Sequence, residues 1–194
     1  MASSEKLLTV FDRPLTESLH ILESKFGKYQ LSFKQNAYNW IAVSVNPAPC
    51  WENRKKIEQT QTKSIFFNTQ EERDIILLLL GGKMFFSYWL TFGDEFHVTK
   101  SDLLAFCFPF KSLSKDDKIQ LLNLAKKFIN GLEETIQYKL NAGKQVGTYN
   151  TSKLWNITDA SDRIFLKYIS SEPLIIQNEI EKHILTTVLT EDDS

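Results

Sequence analysis

Ser114 to Gly143 reads SKDDKIQLLNLAKKFINGLEETIQYKLNAG, and its apolar residues recur every three or four positions. Leu121, Ala125, Phe128, Leu132, Ile136 and Leu140 form one stripe, Ser114 with Asp117 supplies a start signal, and Gly143 supplies a stop. The spacing predicts a single long amphipathic helix. Upstream the period changes to two. Tyr29, Leu31 and Phe33 alternate with polar residues, as do Ile41, Val43 and Val45, so both stretches read as strands. Helix and strand signals in separate blocks predict an α+β fold: a small, mostly antiparallel sheet with several helices, one of them long and amphipathic.

The flanking signals fill in the remaining elements. Leu15, Leu19, Leu22 and Phe26 repeat on one face, and Asp12 with Pro14 marks a start, which predicts a first helix over 15–25. Pro47 and Pro49 end the second strand and open a basic loop, and Ile65 to Phe67 reads as a third short strand. Asn68 followed by Glu71 resembles a capping box before Ile75 to Leu80, a short helix that Gly81 and Gly82 terminate. An aromatic-rich helix follows over Met84 to Phe92. The stretch Gly143 to Asn156, GKQVGTYNTSKLWN, has the composition of an exposed loop. Thr158 is placed to cap a helix through Tyr168, Pro173 begins a last helix, and the acidic tail after Thr190 is expected to fray.

Composition bounds the function. The chain has 194 residues, 42% of them hydrophobic, with 7 Gly, 5 Pro and a formal net charge of −1. Such a chain builds a core and is neither collagenous, disulfide-stapled nor of low complexity. Cys50 and Cys107 are its only cysteines, far apart and outside any metal-ligand spacing, and they read as buried free thiols in a reducing cytoplasm. The amino terminus lacks the pattern of a secretory signal, and the longest apolar run, Ile75 to Leu80, is too short to span a bilayer, so no membrane partner is expected. Near-neutrality conceals opposed blocks. Residues 25–63 carry seven cations against two acids, residues 100–153 nine against five, and residues 154–194 three against eight. A polyanion fits the first two blocks if they meet on one surface.

Catalytic signals are missing. There is no glycine-rich strand-to-helix turn, GxSxG, HExxH or GKS/T motif, and His20, His97 and His183 lack a metal-pairing neighbour at i+4. Asn46-Pro47-Ala48-Pro49 superficially resembles the Asn/Asp-Pro-Pro-aromatic loop of amino-methyltransferases. It lacks the second adjacent proline and the aromatic, and reads as a turn. Asp94, Glu95 and His97 supply a small part of a nuclease metal site and read as an exposed polar loop. No catalytic, cofactor-binding or metal residue is assigned.

Gly82 to Pro109, GKMFFSYWLTFGDEFHVTKSDLLAFCFP, is the most distinctive stretch. It resembles the target-recognition segment of adenine-specific DNA methyltransferases from restriction–modification systems, the TaqI-like and type IIG group, in which an aromatic helix leads into a Gly-Asp-x-x-His-Val-Thr-Lys-x-Asp turn. Tyr38-Asn39-Trp40, Lys63 to Phe67, Val146 to Asn150 and Ile157 to Asp162 resemble further parts of that region in the same order. The likeness spans about Tyr29 to Ile169. This chain has Gly81-Gly82 where family members often have Asn-Ser, and it lacks the family's glycine-rich cofactor motif and catalytic loop.

The resemblance implies a domain order of 1–28 as an N-terminal helical segment, 29–170 as the target-recognition domain and 171–194 as a C-terminal helix and tail. It implies duplex DNA as a partner, together with a methyltransferase catalytic domain in cis or in trans. S-adenosylmethionine belongs on that catalytic domain, and no cofactor is expected on this chain. Lys34, Arg54, Lys55, Lys56 and Lys63 have the chemistry for phosphates. Tyr38, Asn39, Trp40, His97, Thr99, Lys100, Thr148, Tyr149, Asn150 and Lys153 are candidates for phosphates, sugars or base edges. On this reading Phe85, Phe86, Tyr88, Trp89 and Phe92 are core. A different class of function, a protein-interaction module or decayed remnant docking a partner through its amphipathic helices, is the alternative.

Overall fold

The computed structural model describes residues 5–12, 18–94 and 96–192, side chains beyond 186 excepted. Strand β1 (Tyr29–Lys34) is the alternating stretch expected, and it lies between β2 (Val43–Ser44) and β5 (Thr62–Phe67) in an antiparallel sheet. Leu31 faces Ile65, Tyr29 faces Phe67 and Phe33 faces both Lys63 and Val43, so Leu31, Phe33, Val43, Ile65 and Phe67 turn one buried face to the helices. The second strand is shorter than its alternation predicts. The Ile41 carbonyl accepts the Thr151 hydroxyl at 2.8 Å, which draws that end of the segment out of the ladder.

A second sheet runs β4-β3-β7-β6, with β3 (Cys50–Glu52), β4 (Lys55–Ile57), β6 (Ile136–Asn141) and β7 (Lys144–Tyr149) all antiparallel. The basic loop expected after Pro49 is thus a hairpin. Two-residue turns close both hairpins, Asn53-Arg54 at φ 50° and 65° and Ala142-Gly143 at 48° and 80°. Two consecutive positive φ values are the mirror-image turn whose twist matches paired strands, and Asn and Gly are the residues that enter that region most easily.

Helix α2 (Gln70–Leu80) lies between the first sheet and the other helices, with every residue from Arg73 to Leu80 buried. Its capping box is Thr69 with Glu72, one residue beyond the expected pair. Gly81 ends it as predicted; a Cβ there would meet the Phe128 ring at 2.5 Å. Helix α3 (Lys83–Phe92) follows, its aromatic face packed inward through Phe85, Phe86 and Trp89. Helix α5 (Lys115–Gly131) starts at Ser114, whose hydroxyl accepts the Asp117 amide at 3.1 Å. Asp117 also accepts the Tyr168 hydroxyl at 2.6 Å. That bond above all, with Ser114 and Lys167 beside it, holds the carboxyl below its ordinary pKa and ties α5 to α6 (Trp155–Ile169). Helix α7 (Pro173–Asp192) covers α3 and α6 with Ile176, Ile180 and Ile184. No single helix among the described residues is long and apolar enough to cross a membrane.

Four expectations are corrected. The long helix stops at Gly131; Leu132–Thr135 is a 3-10 turn, and Ile136 and Leu140 belong to β6. The expected loop over 143–156 contains β7, a central strand whose Gly147, Thr148 and Tyr149 are buried. Thr158 lies inside α6 instead of capping it: Asn150 accepts the Ser152 amide at the start of a 3-10 turn over Thr151–Leu154, and α6 begins directly after it. Of the helix expected over 15–25, residues 15–17 lie outside the described residues, and the rest forms only a 3-10 turn, Leu19–Leu22. Its backbone bonds elsewhere, Leu19 to the Phe106 carbonyl and Ser24 to that of Phe66, and Phe26 is left 95% exposed. Two short helices carried no expectation, α1 (Glu5–Phe11) and α4 (Lys100–Ala105). The end of the tail likewise lies outside the described residues.

Candidate nucleic-acid interface

Residues 35–40, just after β1, join the separated stretches. The Ala37 amide donates to the Phe96 carbonyl at 2.9 Å and the Val98 amide to that of Gln35 at 2.8 Å, so the Gly-Asp-x-x-His turn lies against this segment. At its other end Trp40 donates its indole Nε1–H to the Tyr149 carbonyl at 3.1 Å. Between them Tyr38 stacks on Trp40 with centroids 5.2 Å apart. The ammonium groups of Lys34 and Lys139 lie 5.4 and 5.3 Å from the centre of the Tyr38 ring, within cation–π range.

The candidates divide by what holds them. Lys34 is buried and donates to the Thr148 hydroxyl at 2.7 Å, so both residues fasten the two sheets together. Asn150 is buried at the end of β7 and opens the next turn. Tyr149 is buried; its hydroxyl donates to Glu133 at 2.9 Å, and burial first, then Glu133, pushes the phenol pKa far up. That hydroxyl borders a cavity of about 620 Å³ whose wall includes Arg73, Asp74, Asn123, Lys126 and Glu133. Arg73 and Asp74 are themselves paired at 2.5 Å.

Asp94 organises the turn most like the family's. Its carboxylate accepts the amides of Phe96 at 3.0 Å and His97 at 2.6 Å, and lies 2.7 Å from His97 Nδ1. The Phe96 amide, then the His97 ring, hold the Asp94 pKa below its ordinary value. His97 thereby fixes the loop while its side chain remains exposed. Thr99 forms a capping box with Asp102 at the start of α4, and Lys100 pairs with Glu23 at 2.6 Å. Because Asp94 is depressed, the order it confers is complete above the ordinary carboxylate pKa and lost as pH falls through the lowered one. Asp94→Ala should speed hydrogen exchange at the Phe96 and His97 amides and leave buried α2 amides unchanged. Unchanged exchange at both turn amides would refute this role.

Asn39 is half-buried, while Arg54, Lys55, Lys56, Lys63 and Lys153 are exposed. Arg54, Lys55 and Lys56 belong to the β3–β4 hairpin, Lys63 to β5 and Lys153 to the turn before α6. Lys139 and Lys144 join them from β6 and β7, so the two hairpins of the second sheet, 50–57 and 136–149, carry five cations against the single acid Glu52. Sequence reasoning missed Tyr138 and Lys139 because the helical stripe ran through them, and Lys144 because it fell in the expected loop. The signal was there in Ile136-Gln137-Tyr138-Lys139-Leu140, which alternates as a strand should and precedes Ala142-Gly143.

The Ile157–Asp162 stretch meets the start of the aromatic helix. Lys83 pairs with Asp159 at 2.9 Å, and Asp162 accepts the Met84 amide at 3.0 Å. A Cβ on Gly82 would meet Asp162 Oδ1 at 2.6 Å, so glycine is what permits this approach. Both cysteines are buried and outside any disulfide, and no cluster of metal-ligating side chains occurs among the described residues. Glu95 lies outside them. Comparisons with protein-family models, with curated proteins and with solved structures give no match.

Proposed function

We propose that this chain is the sequence-specific DNA-binding part of an adenine DNA methyltransferase of the TaqI-like, type IIG kind, reading duplex DNA for a catalytic domain that holds S-adenosylmethionine. One observation carries the reading: segment 35–40 is bonded to both the 94–99 turn and Tyr149, so stretches of the resemblance far apart in sequence form one continuous structure. The basic hairpins beside it supply the charge that a phosphate backbone needs. Exposed Arg54, Lys55, Lys56 and Lys153 serve phosphates on this reading, and Tyr38, Asn39 and His97 lie where base edges would be read. Buried Lys34, Thr148 and Asn150 position that surface. The alternative of a module docking through the α5 stripe is less well supported, because Leu121, Ala125, Phe128 and Leu132 are consumed by the core.

Titration of a labelled duplex across salt concentration tests the proposal. Affinity should fall linearly on a log–log plot, and each phosphate contact removed by Ala at Arg54, Lys55 or Lys56 should reduce the slope by about 0.9. Binding indifferent to salt, or no duplex binding at low salt, would overturn it.

A further inference from the structure

The second sheet has one face packed, and the other is open except at its Ile136–Tyr149 end. Side chains of paired residues in an antiparallel sheet point to the same side, as do residues two apart along a strand. Cys50, Val146 and Thr148 therefore share the inner side, where Cys50 is buried and Thr148 meets Lys34, and Lys139 lies on that side over Tyr38. Lys56, Trp51, Gln145 and Leu140 are cross-strand partners in turn, one row across all four strands on the opposite side. Tyr138, opposite Gly147, forms the next row on that side. Trp51 is 37% exposed, Tyr138 45% and Leu140 80%, and Lys56 and Gln145 are exposed beside them.

We infer that this open face is a stacking platform for the unpaired bases of a single nucleic-acid strand. Trp51 and Tyr138 stand on strands separated only by β7, about 10 Å apart at ordinary strand spacing. Tyr138 lies across buried Gly147, where a Cβ would meet the Pro49 carbonyl at 2.6 Å, the Tyr138 ring at 3.2 Å and the Ala48 Cβ at 3.5 Å, so glycine lets the ring lie down on the sheet. The two exposed rings offer flat apolar surface to bases. Lys56 ends the same row, and Arg54 and Lys55 lie on the same hairpin, where a phosphate backbone would run. Large apolar side chains exposed together mark an interaction surface. The charge selects its occupant. Lys56 lies on this side and Arg54 at its turn, while Glu52, the single acid of the two hairpins, lies on the other side with Lys55 and Lys144; a second copy laid face to face would bring like charges together, whereas a polyanion with exposed bases answers both the charge and the aromatic surface. Stacking needs only a π-face, so this face tolerates any base sequence. Duplex DNA hides its base faces, and the inference stands apart from the duplex reading above.

Fluorescence anisotropy with labelled oligothymidylate, oligouridylate and a duplex of the same length tests it, using the full chain and the variants Trp51→Ala, Tyr138→Ala and both together. Each single variant should weaken single-strand binding by about tenfold, and the double variant by more, with duplex binding unchanged. Far-UV circular dichroism and the thermal midpoint should be those of the parent, since both side chains are exposed. Binding of the DNA strand, the RNA strand or both supports the inference and identifies the source. It is overturned if neither strand binds at low salt, if the folded double variant binds as the parent does, or if light scattering shows a dimer that Trp51→Ala dissolves. Duplex binding with no single-strand binding sinks this inference and leaves the duplex reading intact. The reverse result does the opposite.

Discussion

An Asp162→Asn variant should be more stable than the parent at pH 8 and lose that advantage as pH falls toward 4. Asp162 is fully enclosed at the contact between α6 and the start of α3. Burial, the largest influence, pushes its pKa up to about 7 from 3.8, assisted by the charge of Asp159 and opposed by the Met84 amide and Lys83. One carboxylate oxygen accepts the Met84 amide, and the other, Oδ1, lies against Gly82 with no hydrogen-bond partner.

The direction follows from proton uptake. Between pH 3.8 and about 7 the unfolded chain has released the Asp162 proton and the folded chain has kept it, so stability falls as pH rises through this window and is level above it. A difference of about 3 pH units corresponds to a cost on the order of 4 kcal/mol for carrying the charge at pH 8. Asparagine keeps an oxygen for the Met84 amide and removes the charge. Urea unfolding at a series of pH values should give stabilities for parent and variant that converge near pH 4, separate progressively up to about pH 7 and keep a constant difference above it. Parallel curves would refute the account.

Phe128→Ala should destabilise the chain by about 3–5 kcal/mol, and Leu140→Ala should change stability by less than about 0.5 kcal/mol. In sequence the two residues share one apolar stripe. In the fold Phe128 is fully buried on α5, with its ring 2.5 Å from where a Cβ of Gly81 would stand, while Leu140 is 80% exposed on β6. Truncating Phe128 opens a cavity between α5 and the end of α2 that neither helix can close without moving. Denaturant midpoints of the two variants provide the check. A Phe128→Ala variant as stable as the parent, or a Leu140→Ala variant as damaged as Phe128→Ala, would mean that the stripe continues as the spacing alone predicts.

That contrast shows where local pattern ceases to be informative. Ser114 with Asp117 and the stripe to Phe128 identified α5 correctly, because a cap and a 3.6-residue period concern residues within a few turns of each other. Beyond Gly131 the same period continued by coincidence. Ile136, Tyr138 and Leu140 also satisfy a period of two, and the choice between them rests on a partner, β7, that itself looked like a loop. β7 in turn is held by β3, about a hundred residues earlier, and by the bond from Lys34 to Thr148. The candidate surface behaves in the same way. Basic residues near 54–56 were visible from composition, but Lys139 joined them, and Lys34 left them, only through sheet pairing and burial.

The sequence by itself determined the α+β class, the β1 and β5 strands, the boundaries of α2 and α3 at Gly81 and Gly82, and the start of α5. Each depends on short-range signals: alternation, capping hydroxyls, and glycines that end helices. Tertiary structure alone decided that 136–149 is a hairpin, that the basic loop after Pro49 is its neighbour in a four-stranded sheet, and that Trp51, Tyr138 and Leu140 share an open face. The physical reason is the nature of the bond. A helix satisfies its backbone donors and acceptors within four residues, whereas these strands satisfy theirs across the length of the chain, where no local pattern reaches.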